Sequence, residues 1–184
     1  EAGRYFNGCE TGGCESEVDA QFNLVAYEWF VGERENALTR LANTIDRLEN
    51  GYQEAQGWFD TLDDFRFFLE VMSGNAAVAK APDLSTVTVD ARNVVLAALI
   101  ELGQFDAALE LLTRAYSEDG AFSFGFLLFP LSPGGFEFAD AFRKYPGYHD
   151  LWSRPGLARL AAARIANGHT AGLPLNEDGT LVQF

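Results

Sequence analysis

Basic residues are scarce in this chain of 184 residues: 13 lysines and arginines stand against 27 aspartates and glutamates, a formal net charge of −14 at pH 7. A surface with this excess of negative charge repels phosphates and anionic lipid headgroups. The composition therefore disfavours nucleic acid as a ligand and electrostatic adhesion to a membrane. A protein or peptide partner with a basic surface suits this charge better.

Long hydrophobic runs are also absent. The longest candidate, FGFLLFP at residues 124–130, is far shorter than the ~18–20 residues that span a bilayer, so we expect no membrane insertion of this segment. The chain starts with Glu1 and lacks the basic stretch and apolar stretch of a signal peptide. We therefore expect it to be one piece of a longer protein. Its apolar content of 48% is sufficient for a buried core.

Cysteine and histidine are rare, with two residues of each. Cys9 and Cys14 lie in the string CETGGC, whose glycines let the chain curl back, so a local disulfide in an oxidising compartment is sterically reasonable. Two free thiols in a flexible N-terminal arm are the alternative. A zinc site would need two more ligands, and His149 and His169 stand at no recognised spacing. We therefore expect no metal site and no cofactor.

Signatures of catalysis are missing as well. The sequence contains no GxSxG nucleophile elbow and neither of the phosphate-binding patterns GxxxxGK[ST] and GxGxxG. Carboxylate pairs such as Asp63 and Asp64, or Glu137 and Asp140, have the chemistry of an acid and a base. In a chain this acidic, such pairs are usually part of a solvated face. The sequence therefore predicts a protein that is not an enzyme, and a hydrolase with paired carboxylates is a distant alternative.

Apolar residues at helical spacing dominate the rest of the chain. Between residues 22 and 48 they recur every three or four positions on two successive stripes, separated by Gly32, with Asn50 and Gly51 as a stop signal. This pattern predicts a helical hairpin whose second helix spans 33–48. The same pattern runs from Asp90, a suitable N-cap, through Gly103 to Tyr116 and predicts a second hairpin.

The segments around the second hairpin are less regular. Residues 62–72 keep a helical rhythm up to a break at 73–75, and 156–167 predict a final helix. The stretch 80–88 contains Pro82 and the string TVTV, which predicts a connecting loop or, alternatively, a short strand. After Asp119 and Gly120 the aromatic stretch 122–136 is too interrupted for a long helix, so we expect it to fill a seam between helices.

The second hairpin carries a family resemblance. LAALIELGQFDAALELLTRAYSED at residues 96–119 resembles the second half of a tetratricopeptide repeat, and 26–51 resembles the same unit more loosely, with Thr44 where a small alanine is usual. The glycines of the two segments are 71 residues apart, close to twice the 34-residue period of that repeat. The alignment matches Gly32 with Gly103, Ala37 with Ala108, Leu38 with Leu109, Leu41 with Leu112, and Ile45 with Tyr116.

This resemblance implies an all-α fold of antiparallel helical hairpins, a tetratricopeptide-like α-solenoid with irregular packing. It implies a domain over 20–172, after an N-terminal arm at 1–19 and before a tail at 173–184. In such arrays the first helix of each hairpin lines a concave binding face. The residues that this places on the face are Asp19, Phe22, Ala26, Trp29 and Phe30 in one copy, and Asp90, Asn93, Ala97, Ile100 and Glu101 in the other.

Among these residues Trp29, Asp90, Asn93 and Glu101 are the candidate binding residues. The amide of Asn93 is able to donate to and accept from a peptide backbone. The spacings of three and eight between Asp90, Asn93 and Glu101 approximate whole helical turns, which favours one shared face. The alternative for the apolar members, Phe22, Ala26, Ala97 and Ile100, is that they belong to the core.

The C-terminal stretch 142–175, which begins FRKYPGYHDLW, is similar to the closing segment of repeat domains in bacterial signalling proteins. Those proteins carry a winged-helix regulator or a nucleotide cyclase at the other end. The resemblance implies a recognition or sensor domain, on the periplasmic side of the inner membrane or in the cytoplasm. The alternative is a free-standing carbohydrate- or small-ligand-binding protein, in which Trp29, Trp58 and Trp152 stack on sugar faces.

Overall fold

We describe the fold from a computed structural model. The structure describes residues 21, 24–25, 27–29, 31–50, 62–75, 77, 79, 81–88, 91–127, 139–170, 173–176 and 180, with the side chains of 118–127 left aside. The chain divides into two compact units, Glu1–Lys80 and Ala81–Phe184. Across the described residues the regular structure is helical, without a strand, so the all-α prediction is confirmed. The predicted bounds of the arm, the helical domain and the tail stay predictions.

The first unit contains α1 (Arg34–Glu49) and α2 (Leu62–Met72), which pack on each other, and the helical residues 21, 24–25 and 27–29 that precede Gly32. Both helices bury one apolar stripe, as their periodicity predicts. In α1 the buried residues are Ala37, Leu41, Thr44, Ile45 and Leu48, and in α2 they are Leu62, Asp64, Phe65, Phe67, Phe68 and Val71. The predicted helices at 33–48 and 62–72 are thus confirmed.

The second unit contains α3 (Arg92–Glu101), α4 (Phe105–Leu127), α5 (Ala139–Arg143), α6 (Pro146–Trp152) and α7 (Pro155–Ala166). α3 packs on α4 and α5, α4 packs on α6 and α7, and α6 packs on α7. A proline occupies the first position of α6 and of α7, where its missing N–H costs no helical hydrogen bond. The predicted final helix at 156–167 is confirmed to within one residue.

Four glycines end helices in the same way. Gly32, Gly74, Gly103 and Gly168 all have positive φ, between 68° and 87°, a conformation that side chains disfavour. At Gly32 the glycine N–H donates to the carbonyl of Trp29 and the next N–H donates to that of Glu28. The same two bonds recur at Gly103, to Ile100 and Leu99. This is the Schellman motif, and it confirms both predicted hairpin bends.

The helix after each bend is also alike. Ala37 and Ala108 each lie five residues after the bend glycine, and each is fully buried at 0% exposure. Their N–H groups donate to the carbonyls of Glu33 and Gln104, which lie one residue after the glycine. The glycines and the alanines matched by sequence therefore have matching local structure in the two units.

α4 differs from the prediction. We expected this helix to end near Tyr116 because Asp119 and Gly120 follow, but it is 23 residues long and ends at Leu127. A glycine inside a helix costs only about 1 kcal/mol, a cost small enough for the packing of α4 on α3, α6 and α7 to outweigh. The stretch 122–127 therefore belongs to a helix, while 128–136 lies outside the described residues.

The loop before α3 is held by α4. Residues 81–88 form turns and irregular structure, so the loop prediction is confirmed over that range and the strand alternative is wrong there. The guanidinium of Arg114 donates to the carbonyls of Leu84 and Val87, 3.3 Å in the second case. Asp90, predicted as the N-cap, lies outside the described residues, and Ala91 occupies the N-cap position of α3.

Aromatic rings fill the centre of the second unit. The ring of Phe142 is 5.5 Å from Phe105, 6.5 Å from Tyr145 and 5.0 Å from Tyr148, measured between centroids, and Tyr148 is 6.2 Å from Trp152. Phe142 and Tyr148 are 0% exposed. Burial raises the pKa of Tyr148, so this phenol stays protonated and the cluster keeps no charge of its own.

Candidate functional site

α1 carries a polar face beside its buried stripe. Asn36, Arg40, Asn43 and Arg47 recur at spacings of four, three and four, so they follow the helix axis in one row. We call these four residues the polar stripe. Arg40 is half-buried and the other three are exposed. The sequence analysis did not single out any of them.

The polar stripe forms one side of a cleft in the first unit. The cleft has a volume of about 570 Å³, and the described residues of its lining also include Gln21, Glu28, Thr39 and Thr44. Sites for small molecules have volumes in this range, roughly 300–1,000 Å³. Each side chain that the structure describes in the lining carries a hydrogen-bonding group, and none of those side chains is aromatic. The cleft is therefore suited to a polar ligand that hydrogen-bonds along its length.

A two-pronged ion pair lies in the cleft. Nε of Arg40 donates to both carboxylate oxygens of Glu28 at 3.0 and 3.1 Å, and Nη2 donates to Oε1 at 2.9 Å. Nη1 donates to Oε1 of Gln21 at 2.9 Å. The Glu28 side chain is 11% exposed and the Arg40 side chain 26%. Such charge-assisted bonds hold a carboxylate in one orientation, so this part of the cleft is rigid.

The four residues of the polar stripe are repeated positions in a short internal sequence repeat of α1. Residues 36–42 read NALTRLA and residues 43–49 read NTIDRLE, so Asn, Arg and Leu recur in the same places seven residues apart. Seven residues are close to two helical turns, so each repeated side chain faces the same side as its counterpart. This doublet is the signal by which sequence analysis could have found the cleft.

Trp29 lies in the core of the first unit. It is 8% exposed, its ring centroid is 5.5 Å from that of Phe68, and the guanidinium carbon of Arg34 lies 5.5 Å above it. This is the environment of a packed residue with a cation over one face. A binding role for Trp29 stays a prediction.

The other predicted site residues lie in the second unit. Asn93 is half-buried in the first turn of α3, and its Oδ1 is shielded from solvent without a hydrogen-bond partner. Glu101 is exposed at the last position of α3, and Asp90 lies outside the described residues. Ala97 and Ile100, between them, are 1% and 2% exposed. The core alternative is therefore correct for Ala97 and Ile100, because α3 is covered on almost every side.

Several predictions fall on residues that the structure does not describe. These are the disulfide between Cys9 and Cys14 and the concave-face positions Asp19, Phe22, Ala26 and Phe30. Within the described ranges no three His, Cys, Asp or Glu side chains are grouped closely enough to hold a metal ion. Of the helices in those ranges, none has the length and apolar character needed to cross a membrane.

The carboxylates Asp63 and Asp64 have different surroundings. Asp63 is exposed and accepts a 2.6 Å bond from Nη1 of Arg66. Asp64 is 5% exposed, and burial, followed by the charge of Asp63, raises its pKa from 3.8 to about 6. Neither residue lines the cleft. The different surroundings of these two carboxylates therefore belong to the first turn of α2 and not to the cleft. They affect how the stability of the fold depends on pH.

Because the folded pKa of Asp64 lies above its unfolded value, the folded state binds the extra proton and stability falls as the pH rises from about 4 to 6. The difference between the folded and unfolded pKa of Asp64 corresponds to at most about 3 kcal/mol in the free energy of unfolding. We expect about 1–2 kcal/mol because the carboxyl keeps some solvent contact. Asp64→Asn should therefore be about 1–2 kcal/mol more stable than the unsubstituted protein above pH 6, and equally stable near pH 3. Urea titrations across this range measure the difference.

Asp63→Asn is the matched control, because it removes an exposed carboxylate from the same helical turn. Its stability above pH 6 should stay within about 0.5 kcal/mol of the unsubstituted protein. A stability of Asp64→Asn that differs from the original by the same amount at pH 3 and pH 7 would contradict the raised pKa.

Comparison with known proteins adds no relative. No protein-family model, no curated protein and no solved structure matches this chain. Over the described residues, the fold and the cleft together define an all-α protein with a cleft along one helix, lined by polar side chains and by no aromatic ring.

Proposed function

We propose that this chain is a non-catalytic recognition or sensor domain of a larger bacterial signalling protein, and that it binds an extended peptide segment of a partner in the cleft of its first unit. We further propose that its hairpins follow a tetratricopeptide-like plan with irregular packing. The matching Schellman motifs at Gly32 and Gly103, and the buried alanines that follow them, support that plan.

The side chains that line the cleft support the proposal of a peptide ligand. Asn36, Asn43 and Thr39 offer donors and acceptors together, as a peptide backbone requires. The repeated side chains are about 10.5 Å apart along α1, seven rises of 1.5 Å. Three residues of an extended or polyproline II chain cover roughly 9–10 Å. A peptide that lies along α1 therefore presents equivalent backbone groups to each copy of the repeat.

The carbohydrate alternative has less support from the described residues. Sugar sites use exposed aromatic faces, whereas Trp29 and Trp152 are 8% and 2% exposed, and Trp58 lies outside the described residues. The location on the periplasmic side of an inner membrane, or in the cytoplasm, is part of the proposal and rests on the resemblance of the C-terminal stretch alone.

Selection from a displayed library of random peptides on the full chain tests the function. We expect peptides to be enriched, and calorimetry with a selected peptide should show Asn43→Ala weakening its binding about tenfold, or about 1.4 kcal/mol, because one amide that pairs with the backbone is lost. Asn43 is exposed, so the substitution should leave the circular dichroism spectrum and melting temperature unchanged.

Asn93→Ala is the comparison variant, since Asn93 is the other candidate amide. Weakened binding by Asn93→Ala, with Asn43→Ala unaffected, would place the site at the start of α3 and contradict the cleft. A library that yields no specific peptide would contradict peptide recognition itself.

A further inference from the structure

α2 carries a carboxyl in the middle of its buried face. Asp64, Phe67, Phe68 and Val71 stand at positions i, i+3, i+4 and i+7, so they lie on one side of the helix. Asp64 is 5% exposed, and the other three are between 1% and 4% exposed. All the other buried residues of α2 are apolar. Asp64 is therefore the one position at which a charge enters the apolar stripe of this helix.

The apolar stripe holds α2 in the first unit. α2 packs on α1, and the ring centroid of Phe68 lies 5.5 Å from that of Trp29. An ion pair supplements this contact, because Nε of Arg66 donates to Oε1 of Glu49 in α1 at 2.8 Å. The ion pair is exposed to solvent, with 40% and 42% of its two side chains accessible. The apolar stripe is thus the main attachment of α2, and Asp64 is part of it.

The carboxyl of Asp64 has no counterion. Within the described part of the chain it accepts no hydrogen bond and forms no ion pair, and the charge that acts on it is the like charge of Asp63. The carboxylates of α1, which are Glu35, Asp46 and Glu49, are exposed. The described arginines of this unit have other environments: Arg66 pairs with Glu49 and Asp63, Arg40 pairs with Glu28, Arg34 lies over the ring of Trp29, and Arg47 lines the cleft.

A buried carboxylate without a partner opposes the packing around it. Apolar side chains displace water from the anion and offer no hydrogen bond in return. The protonated carboxyl carries no charge and remains in the stripe at much lower cost. Once Asp64 is ionised, the anion regains its hydration when the start of α2 moves away from its neighbours. The proton on Asp64 therefore favours the packed position of α2, and its loss favours an open one.

We propose that α2 is a pH-sensitive latch in the first unit, which packs on α1 while Asp64 is protonated and opens locally when Asp64 is ionised. Local opening of one helix is distinct from unfolding of the whole chain. The second unit is a separate compact body with its own aromatic core, so the response is confined to the first unit. This inference is independent of the proposed peptide ligand.

Hydrogen exchange of the full chain at pH 5 and pH 7, followed by mass spectrometry, tests the proposal. Each rate is divided by the intrinsic rate of an unstructured peptide at the same pH, which leaves the protection due to structure. Burial raises the pKa of Asp64 to about 6, whereas an open α2 returns it to the usual value of 3.8. Protection of residues 62–72 should therefore be about three- to tenfold lower at pH 7 than at pH 5. Protection of residues 105–116 in α4 should change by less than about twofold.

Two variants identify the responsible group. Asp64→Asn should remove the pH dependence at 62–72, whereas Asp63→Asn, one position away and exposed, should retain most of it. Circular dichroism verifies that both variants fold. If Asp64→Asn does not fold, the comparison of 62–72 with 105–116 in the unsubstituted chain still decides.

Three results would overturn the latch. Equal loss of protection at 62–72 and at 105–116 would show that ionisation lowers the stability of the whole chain without a local opening. Protection of 62–72 that is the same at pH 5 and pH 7 would show that α2 does not respond to pH. A pH dependence that persists in Asp64→Asn would assign the response to another group.

Discussion

Phe142→Ala should lower the free energy of unfolding by about 3–5 kcal/mol, the largest effect that we expect from one substitution in this chain. Phe142 is 0% exposed, and its ring lies 5.0–6.5 Å from the rings of Phe105, Tyr145 and Tyr148. The change removes one ring and leaves a cavity that rigid neighbouring rings cannot close. Urea titration followed by near-ultraviolet circular dichroism, which reports on packed aromatic rings, measures the loss.

Two further variants serve as comparisons for Phe142→Ala. Phe142→Leu keeps most of the buried volume and should cost markedly less than the alanine variant. Lys144→Ala alters an exposed side chain near the same cluster and should change stability by less than about 0.5 kcal/mol. A loss below about 1.5 kcal/mol for Phe142→Ala would contradict the central position of this ring.

Ala108→Leu should lower the free energy of unfolding by about 1–3 kcal/mol, because it adds three carbon atoms where α4 contacts α3. Ala108 is 0% exposed, five residues beyond the bend at Gly103. Thermal melts with Glu110→Gln as the control measure the difference, since Glu110 is exposed on the same helix. Equal melting temperatures for the two variants would contradict the alignment that places Ala108 at the helix contact.

The helices of this protein are largely predictable because glycine and apolar spacing mark them plainly. Gly32, Gly74, Gly103 and Gly168 are the positions at which the chain needs positive φ, and each follows a run of apolar residues three or four apart. Local chemistry determines where such helices end. The bounds of α1, α2 and α7 could therefore be predicted to within one or two residues.

The length of α4 and the environment of α3 depend on packing that a local pattern does not contain. The cost of Gly120 in a helix is small enough for neighbouring helices to outweigh it, so α4 passes through a residue that usually ends a helix. α3 is buried on nearly every side, which a stripe of apolar residues does not indicate. For that reason Ala97 and Ile100, placed on a binding face by resemblance, belong to the core.

The cleft could have been predicted in part. The doublet of Asn-x-x-x-Arg in α1 is visible in the sequence, but the sequence does not show that Glu28 meets Arg40 across twelve positions. That contact depends on how the chain turns at Gly32. The ion pair, the volume of the cleft and the polar character of its described lining therefore needed the structure.

The heptad doublet has a second consequence, for the way α1 finds its place during folding. A helix with the same pattern every seven residues has two nearly equivalent alignments against its neighbours, offset by two turns. Two positions are buried in both copies: Leu41 corresponds to Leu48, whereas Ala37 corresponds to the larger Thr44. A slip toward one end would force the larger threonine into the space of Ala37, and a slip toward the other would leave a void in place of Thr44. Thr44, the departure from the repeat consensus, thus favours one alignment of α1 over the other.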